Sequence, residues 1–305
     1  MIAALVRYLC AATLMFAALL SAQLSAQTRG GGRQGGNPEE RLATYQKQLE
    51  ADPNSAEANL GAGQALDLLG RTAEGRKYIQ KAIDAASDPA RKAQAQRIMA
   101  MSYAFDGDCR NTVKYEQMVF DYWVTAKDSY QQGEMANEAA RVCIDAGDLD
   151  TAEKYYRIGY DAGLKQPDMP AGRKELWDFR LEHALARLAA RRGNKTEAAK
   201  HVGAARAALD QMEMRSSSLA EQQRVFYPYL TGYVAYYTGD YRNAIDELQK
   251  ANQNDAFIQC LIGMTYEKLG DKEKAMEAYR KAAQVTAHNP PGAFARPFAR
   301  KKLGG

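Results

Sequence analysis

The chain has 305 residues, of which 46% are hydrophobic, and its formal net charge is +4. This apolar content excludes an intrinsically disordered chain, and the small basic excess, spread along the sequence, predicts no nucleic-acid partner. Ala, Leu, Glu, Lys, Arg and Gln dominate while strand-forming residues are scarce, so the composition predicts an all-α protein.

The first 27 residues have the pattern of an export signal. Arg7 precedes a nearly all-apolar run over 8–20, and small and polar residues follow up to Gln27. The run is shorter than the roughly 20 apolar residues that span a bilayer, which favours a cleaved signal peptide over a retained anchor. We therefore predict a bacterial protein that is periplasmic or secreted and has no membrane span once residues 1–27 are removed.

A glycine-rich stretch over 28–37 follows and is typical of a flexible linker. Pro38, Glu39 and Glu40 then suit the first turn of a helix, because proline lacks only a hydrogen bond that is unused there and acidic groups favour the positive helix end. Residues 41–51 predict a single helix that caps the front of the folded region.

A pattern of helix, glycine, short polar turn and second helix then recurs six times up to residue 290. The glycines are spaced by 37, 40, 46, 46 and 31 residues, and a small residue stands five positions after each. We expect each glycine to end a helix in the left-handed conformation and the following Asp or Asn to cap the next helix. The glycines are Gly70, Gly107, Gly147, Gly193, Gly239 and Gly270, and the small residues are Gly75, Thr112, Ala152, Ala198, Ala244 and Ala275.

These units resemble tetratricopeptide repeats. The most typical unit covers 257–289, with Gly263 and Tyr266 in its first helix and Ala275, Tyr279 and Ala282 in its second. The other units cover 56–89, 93–126, 133–166, 179–212 and 225–254. The resemblance implies an all-α, right-handed superhelical solenoid of about six helix-turn-helix repeats over 38–290. We expect a solvated basic C-terminal tail over 291–305.

The two spacings of 46 leave extra residues between units, at 164–172 and at 212–223. The first insert, rich in proline and glycine, predicts a loop. Two interpretations stay open for the array as a whole: one continuous array with an edge loop or kink, or a break into two subarrays.

The resemblance also implies a concave groove lined by the first helix of each unit. Arginines and a histidine fill its inward positions in the fourth unit, and tyrosines fill them in the fifth. Arginine binds carboxylates in two-pronged contacts and tyrosine offers apolar area with a hydroxyl, so we predict a protein or peptide partner with acidic and apolar side chains. The alternative is that the tyrosines pack between helices and the arginines are solvated. The candidate contact residues are Arg97, Asn137, Arg141, Arg180, His183, Arg187, Arg191, Tyr229, Tyr233, Tyr236 and Tyr237.

Three cysteines remain once the signal segment, with Cys10, is removed. Cys109 opens the second helix of its unit, and Cys143 lies near the end of the adjacent antiparallel helix. An oxidising compartment would allow a Cys109–Cys143 disulfide, the alternative being two buried free thiols. We expect Cys260 to be a buried, small apolar side chain.

Motifs for catalysis are lacking in the sequence. The three histidines are far apart, no two cysteines have metal-ligand spacing, and there is no glycine-rich phosphate loop or nucleophile elbow. We therefore predict no enzymatic activity, no cofactor and no metal. The leading hypothesis is an exported scaffold that binds a protein or peptide in a cell-envelope assembly. The alternatives are a glycan or small-ligand binder that uses the aromatic row, or a self-associating structural spacer.

Overall fold

The computed structural model describes residues 36–304, which form helices and connecting turns without a β-strand. The proposed signal peptide, most of the linker and Cys10 lie outside this range. The helices are α1 (Pro38–Ala51), α2 (Ala56–Leu68), α3 (Thr72–Ala85), α4 (Pro89–Phe105), α5 (Cys109–Thr125), α6 (Ser129–Ala146), α7 (Leu149–Gly163), α8 (Arg173–Arg191), α9 (Lys195–Arg215), α10 (Ser217–Arg224), α11 (Tyr227–Thr238), α12 (Tyr241–Leu248), α13 (Ala256–Leu269), α14 (Lys272–Gln284) and α15 (Pro290–Lys302).

Six helix pairs follow one another along the chain. The pairs are α2 with α3, α4 with α5, α6 with α7, α8 with α9, α11 with α12, and α13 with α14. First helices also contact the first helix of a neighbouring unit: α2 contacts α4, and α11 contacts both α8 and α13. We call the first helices of the units the inner layer. The prediction of an all-α, right-handed superhelical solenoid is confirmed.

The turn inside each pair has the conformation that the sequence pattern predicts. All six turn glycines have positive φ, between 68° and 91°. In five of the six units an Asp or Asn caps the second helix by accepting a hydrogen bond from a backbone N–H. The first unit lacks this cap because Arg71 stands at that position. Helix ends at these turns are therefore fixed by local sequence.

The small residue of each second helix lies where the two helices of a pair approach most closely. A Cβ atom on Gly75 would lie 2.8 Å from the Gly63 carbonyl oxygen, so a larger residue does not fit. The equivalent Thr112, Ala152 and Ala198 are completely buried. Glycine also makes room for Trp177, which is fully buried, since a Cβ on Gly163 would lie 2.1 Å from its indole ring.

The two inserts differ in structure. Residues 164–172 form a loop between α7 and α8. The second insert is mostly helical, because α9 continues to Arg215 and α10 packs against α9. A single hydrophobic cluster includes Leu176 of α8, Leu209 of α9, Ala220 of α10 and Leu230 of α11. The core is thus continuous across the insert, which favours one array over two subarrays.

The C-terminal segment is not the solvated tail expected over 291–305. It forms α15, which packs against α13 and α14 and also against α4 and α6. Arg296, expected in solvent, is 7% exposed. The prediction of a solvated tail was wrong because the basic residues alternate with Ala293, Ala295 and Ala299, which are buried against the rest of the protein.

Candidate functional site

The inner face of α4, α6 and α8 carries a row of paired charges. Arg97 donates to Glu138 with 2.7 Å between Nε and Oε2, and Arg180 pairs with Glu134. The Glu138 carboxylate raises the pKa of Arg97, so this guanidinium stays charged. Asn137 lies between the two glutamates in the sequence and is half-buried, but its Oδ1 faces Gly159 of α7. We call Arg97, Glu134, Glu138 and Arg180 the polar row; their two ion pairs join three consecutive units.

Three arginines surround one carboxylate further along the inner layer. Arg141 donates to Asp145 with 3.0 Å between Nε and Oδ2, and Arg187 and Arg191 also act on this carboxylate electrostatically. Burial raises the pKa of Asp145, although all three arginines oppose the rise. The cluster contains more positive than negative charge, which tyrosine hydroxyls compensate in part.

Those hydroxyls belong to residues of α7 and α11. Arg187 donates to the Tyr156 hydroxyl at 2.9 Å and to the Tyr229 hydroxyl at 3.4 Å. Arg191 donates to the Tyr237 hydroxyl at 3.3 Å. The arginines are therefore tied to neighbouring units, and they position α8 between α7 and α11.

The aromatic row is packed inside the array. Tyr233 is completely buried and stacks with Phe257 of α13, with 6.3 Å between ring centroids. The Arg141 guanidinium lies 4.2 Å from the centroid of Phe257. Since Arg141 is on α6, the third unit meets the sixth directly. The inner layer is therefore closed between these two units at this level.

His183 is buried beside this row. Its ring lies 5.4 Å from that of Tyr229, and burial together with Arg187 and Arg141 lowers its pKa well below the ordinary value. The imidazole is therefore neutral at physiological pH and adds no charge to the cluster.

The candidate contact residues divide into two groups by exposure. His183, Arg187, Tyr229 and Tyr233 are buried, so a partner reaches them only if the helices rearrange. The others are half-buried on the inner layer: Arg97, Asn137, Arg141, Arg180, Arg191, Tyr236 and Tyr237. A role in partner binding stays a prediction for both groups.

Sequence reasoning missed the carboxylates that pair with the arginines. Glu134 and Asp145 occupy inward positions of the third unit, and the spacing of Arg141 and Asp145 is the four residues at which helix neighbours pair. That signal was present in the sequence. The pairing of Arg97 with Glu138 joins different units and requires the packed structure.

A disulfide joins Cys109 at the start of α5 to Cys143 near the end of α6, with 4.8 Å between their Cα atoms. Cys260 is a buried free thiol whose pKa is raised by burial. Within residues 36–304, no group of three or more His, Cys, Asp or Glu side chains is placed to hold a metal ion. No helix in that range is long and apolar enough to cross a membrane.

Two family models described as tetratricopeptide repeat match the chain, at residues 33–90 and 258–289. A search of curated protein sequences finds no match. The chain is similar to the Cut9–Hcn1 hetero-tetramer of the APC/C, with 16% identity and a TM-score of 0.46 over 88% of this chain and 47% of that one. It thus spans about half the length of that protein.

Two further solved structures are similar over most of both chains. One is a tetratricopeptide repeat protein from Parabacteroides merdae ATCC 43184, with 12% identity and a TM-score of 0.47 over 85% of this chain and 91% of that one. The other is the TPR domain of P58(IPK), with 12% identity and a TM-score of 0.25 over 88% and 94%.

Proposed function

Because this chain is a tetratricopeptide repeat protein, we propose that it is a scaffold that holds a protein or peptide partner on its inner layer. Proteins of this family bind protein partners, and their fold is typical of non-catalytic scaffolds. The observation that carries the proposal is the polar row, where half-buried Arg and Glu side chains pair between three consecutive units.

The polar row suits an extended segment with polar and acidic side chains. Partly exposed ion pairs contribute only about 0–1 kcal/mol, so a partner carboxylate replaces Glu134 beside Arg180 at little cost. An arginine also offers more donors than one carboxylate uses. The proposed partner therefore exchanges its own acidic groups for those of α6.

The protein-binding proposal accounts for the structure better than a glycan platform does. Stacking on a sugar requires an exposed aromatic face, and Tyr229 and Tyr233 are buried against neighbouring rings. Tyr236 and Tyr237 are half-buried and contact each other edge to face. These contacts support an internal packing role for most of the aromatic row.

We also infer that the scaffold works outside the cytoplasm, in the periplasm or as a secreted protein within an envelope assembly. The signal-like pattern of residues 1–27 supports this, and the Cys109–Cys143 disulfide is typical of oxidising compartments. Sequencing the N-terminus of protein recovered from the periplasmic and extracellular fractions tests it. Cytoplasmic protein that retains Met1 would contradict the localisation.

Photo-crosslinking in the producing cell tests the scaffold proposal. A photoreactive residue replaces Gln94, which is exposed one turn before Arg97 on α4. The matched control replaces Lys114, which is exposed on α5, the outer helix of the same unit. We expect a discrete protein adduct from position 94 and not from position 114.

Raising the salt concentration should weaken this adduct, because the proposed contacts are charged and half-exposed. Adducts of equal yield from both positions, or none from position 94, would contradict the proposal.

A further inference from the structure

Helix α15 lies across the C-terminal ends of the first helices of three units. Its Ala293 belongs to one buried cluster with Leu68 of α2, Phe105 of α4 and Val142 of α6. We call the surface formed by these ends of α2, α4 and α6 the receiving surface. It belongs to the first three units, whereas α15 follows the sixth.

Arg296 anchors α15 to this surface through carbonyl groups. Its Nε donates to the Leu68 carbonyl at 2.8 Å, and its Nη1 donates to the carbonyls of Ala283 and Val285. Arg300 donates to the Leu68 carbonyl as well, at 3.2 Å. Leu68 is the last residue of α2, so both guanidiniums lie at the negative end of that helix.

The receiving surface is suited to a cationic helix. Three helix C-termini meet there, and each presents the negative end of its dipole. Asp106 and Asp145 line the cleft together with Lys301 of α15, but Asp106 is paired with Arg76 and Asp145 with Arg141. Asp67 pairs with His288 just before α15, with 2.8 Å between Oδ2 and Nε2. The negative helix ends thus favour a basic occupant, as the contacts of Arg296 and Arg300 with the Leu68 carbonyl show.

Helix α15 is a poor helix in isolation. It contains Gly292 in its first turn and Pro297 in its interior. An interior proline removes a backbone hydrogen bond and clashes with the preceding turn, which disfavours the helical state by about a hundredfold. Most of the stability of α15 therefore comes from its contacts with the receiving surface and with α13 and α14.

Helix α15 also fills its site incompletely. A cleft of about 290 Å³ remains between it and the ends of α4 and α6. Apolar side chains form most of its wall, among them Phe105, Val142, Phe294 and Phe298. The volume is close to the lower limit for ligand pockets, so a bulkier helix side chain has room there.

We propose that the receiving surface is a second partner site, and that its partner is a basic helix with aromatic residues four positions apart. Helix α15 presents this chemistry itself, with Phe294 and Phe298 flanking Arg296, and occupies the site until the partner displaces it. This inference rests on the proposed scaffold function and adds a partner chemistry to it. The site differs from the polar row in position, because it lies at the C-terminal ends of α2, α4 and α6.

A labelled peptide with the sequence of residues 289–303 tests the proposal by fluorescence anisotropy on the full chain. Arg296→Ala removes the anchor and should lower the apparent Kd for the peptide at least tenfold, because the receiving surface is then free more often. Pro297→Ala strengthens α15 at an exposed position and should raise the apparent Kd about tenfold. The matched control, Arg280→Ala on the exposed face of α14, should leave it unchanged.

A second peptide carries Ser in place of Phe294 and Phe298, and should bind at least tenfold more weakly. If Arg296→Ala does not fold, as judged by circular dichroism, the Pro297→Ala result decides alone. Equal peptide affinity in the wild type and Pro297→Ala would overturn the proposal. So would tight binding of the Ser peptide.

A wild-type dimer that the peptide dissociates in sedimentation would instead assign the site to α15 of a second copy and overturn the assignment to another protein. The Gln94 crosslink separates this inference from the scaffold function. If the crosslink persists while no variant binds the peptide, only the second site is wrong.

Discussion

Glu116 gives the sharpest test of how the units are packed. It lies on α5, is 1% exposed, and neither of its carboxyl oxygens has a hydrogen-bond partner within residues 36–304. Burial raises the pKa of Glu116 well above its ordinary value of 4.5; Glu138 adds to the rise and Arg97 opposes it. The side chain is therefore protonated in the folded protein at pH values where it is ionised in the unfolded chain.

The sign of the pH dependence follows from this difference. Well below pH 4.5 the group is protonated in both states, so its contribution to stability is fully present. As the pH rises from 4.5 to the folded pKa, the unfolded chain releases a proton that the folded protein keeps. Over that window the free energy of unfolding falls by about 1.4 kcal/mol per pH unit.

Glu116→Gln replaces the titratable carboxyl group by an amide of nearly the same shape, which does not titrate. The variant should match the wild type at pH 4.5 and become progressively more stable than it as the pH rises, by up to about 1.4 kcal/mol per unit. Urea denaturation followed by circular dichroism from pH 4.5 to pH 8 measures the difference. Glu273→Gln on the exposed face of α14 is the control and should run parallel to the wild type. Parallel curves for Glu116→Gln and the wild type would refute the reasoning.

Three further predictions concern helix packing, the disulfide and the contact between His288 and Asp67. Gly163→Ala should lower the free energy of unfolding by about 1–3 kcal/mol, because the new methyl group would overlap the buried indole ring of Trp177. Gly203→Ala has open space around it and is the control; it should raise the free energy of unfolding by about 0.5–1 kcal/mol in the same denaturation assay. Thiol titration of the denatured, unreduced chain lacking residues 1–27 should find only Cys260, and three reactive thiols would exclude the disulfide. His288→Ala should remove the buried contact to Asp67, destabilise the protein by about 1–3 kcal/mol and accelerate amide exchange in α15, and unchanged exchange there would contradict this.

The repeat architecture was readable from the sequence because it is set by local chemistry. A glycine with positive φ ends the first helix of each unit, and an Asp such as Asp148 or Asp271 caps the next. Both signals lie within a few residues of the feature that they determine. Close approach of paired helices follows from a single small residue, such as Ala152.

The inner layer was less predictable because its contacts join distant parts of the chain. The candidate arginines were recognised, but Arg97 is paired with Glu138 and Arg187 with Tyr156, across unit boundaries. The repeat pattern predicts which side chains of a unit face inward, but it does not predict which residues of other units they contact. The burial of Tyr233 likewise depends on Phe257 of the next unit.

Helix α15 shows the same limit most clearly. Its prolines and basic residues are typical of an irregular tail, and its helical state depends on contacts with distant residues such as Leu68, which lies 228 positions before Arg296. A local pattern carries no information about such contacts. The expected tail was therefore wrong for a physical reason: tertiary packing overrides a low helix propensity.

Hydrogen–deuterium exchange on the complex with the crosslinked partner tests the central claim most directly. If the protein holds its partner on the inner layer, the backbone amides of α4 and α6 should exchange more slowly in the complex than in the free protein. The backbone amides of the outer helices α5 and α9 should exchange at the same rate in both. Protection confined to α5 and α9, with α4 and α6 unchanged, would contradict the scaffold function proposed for the inner layer.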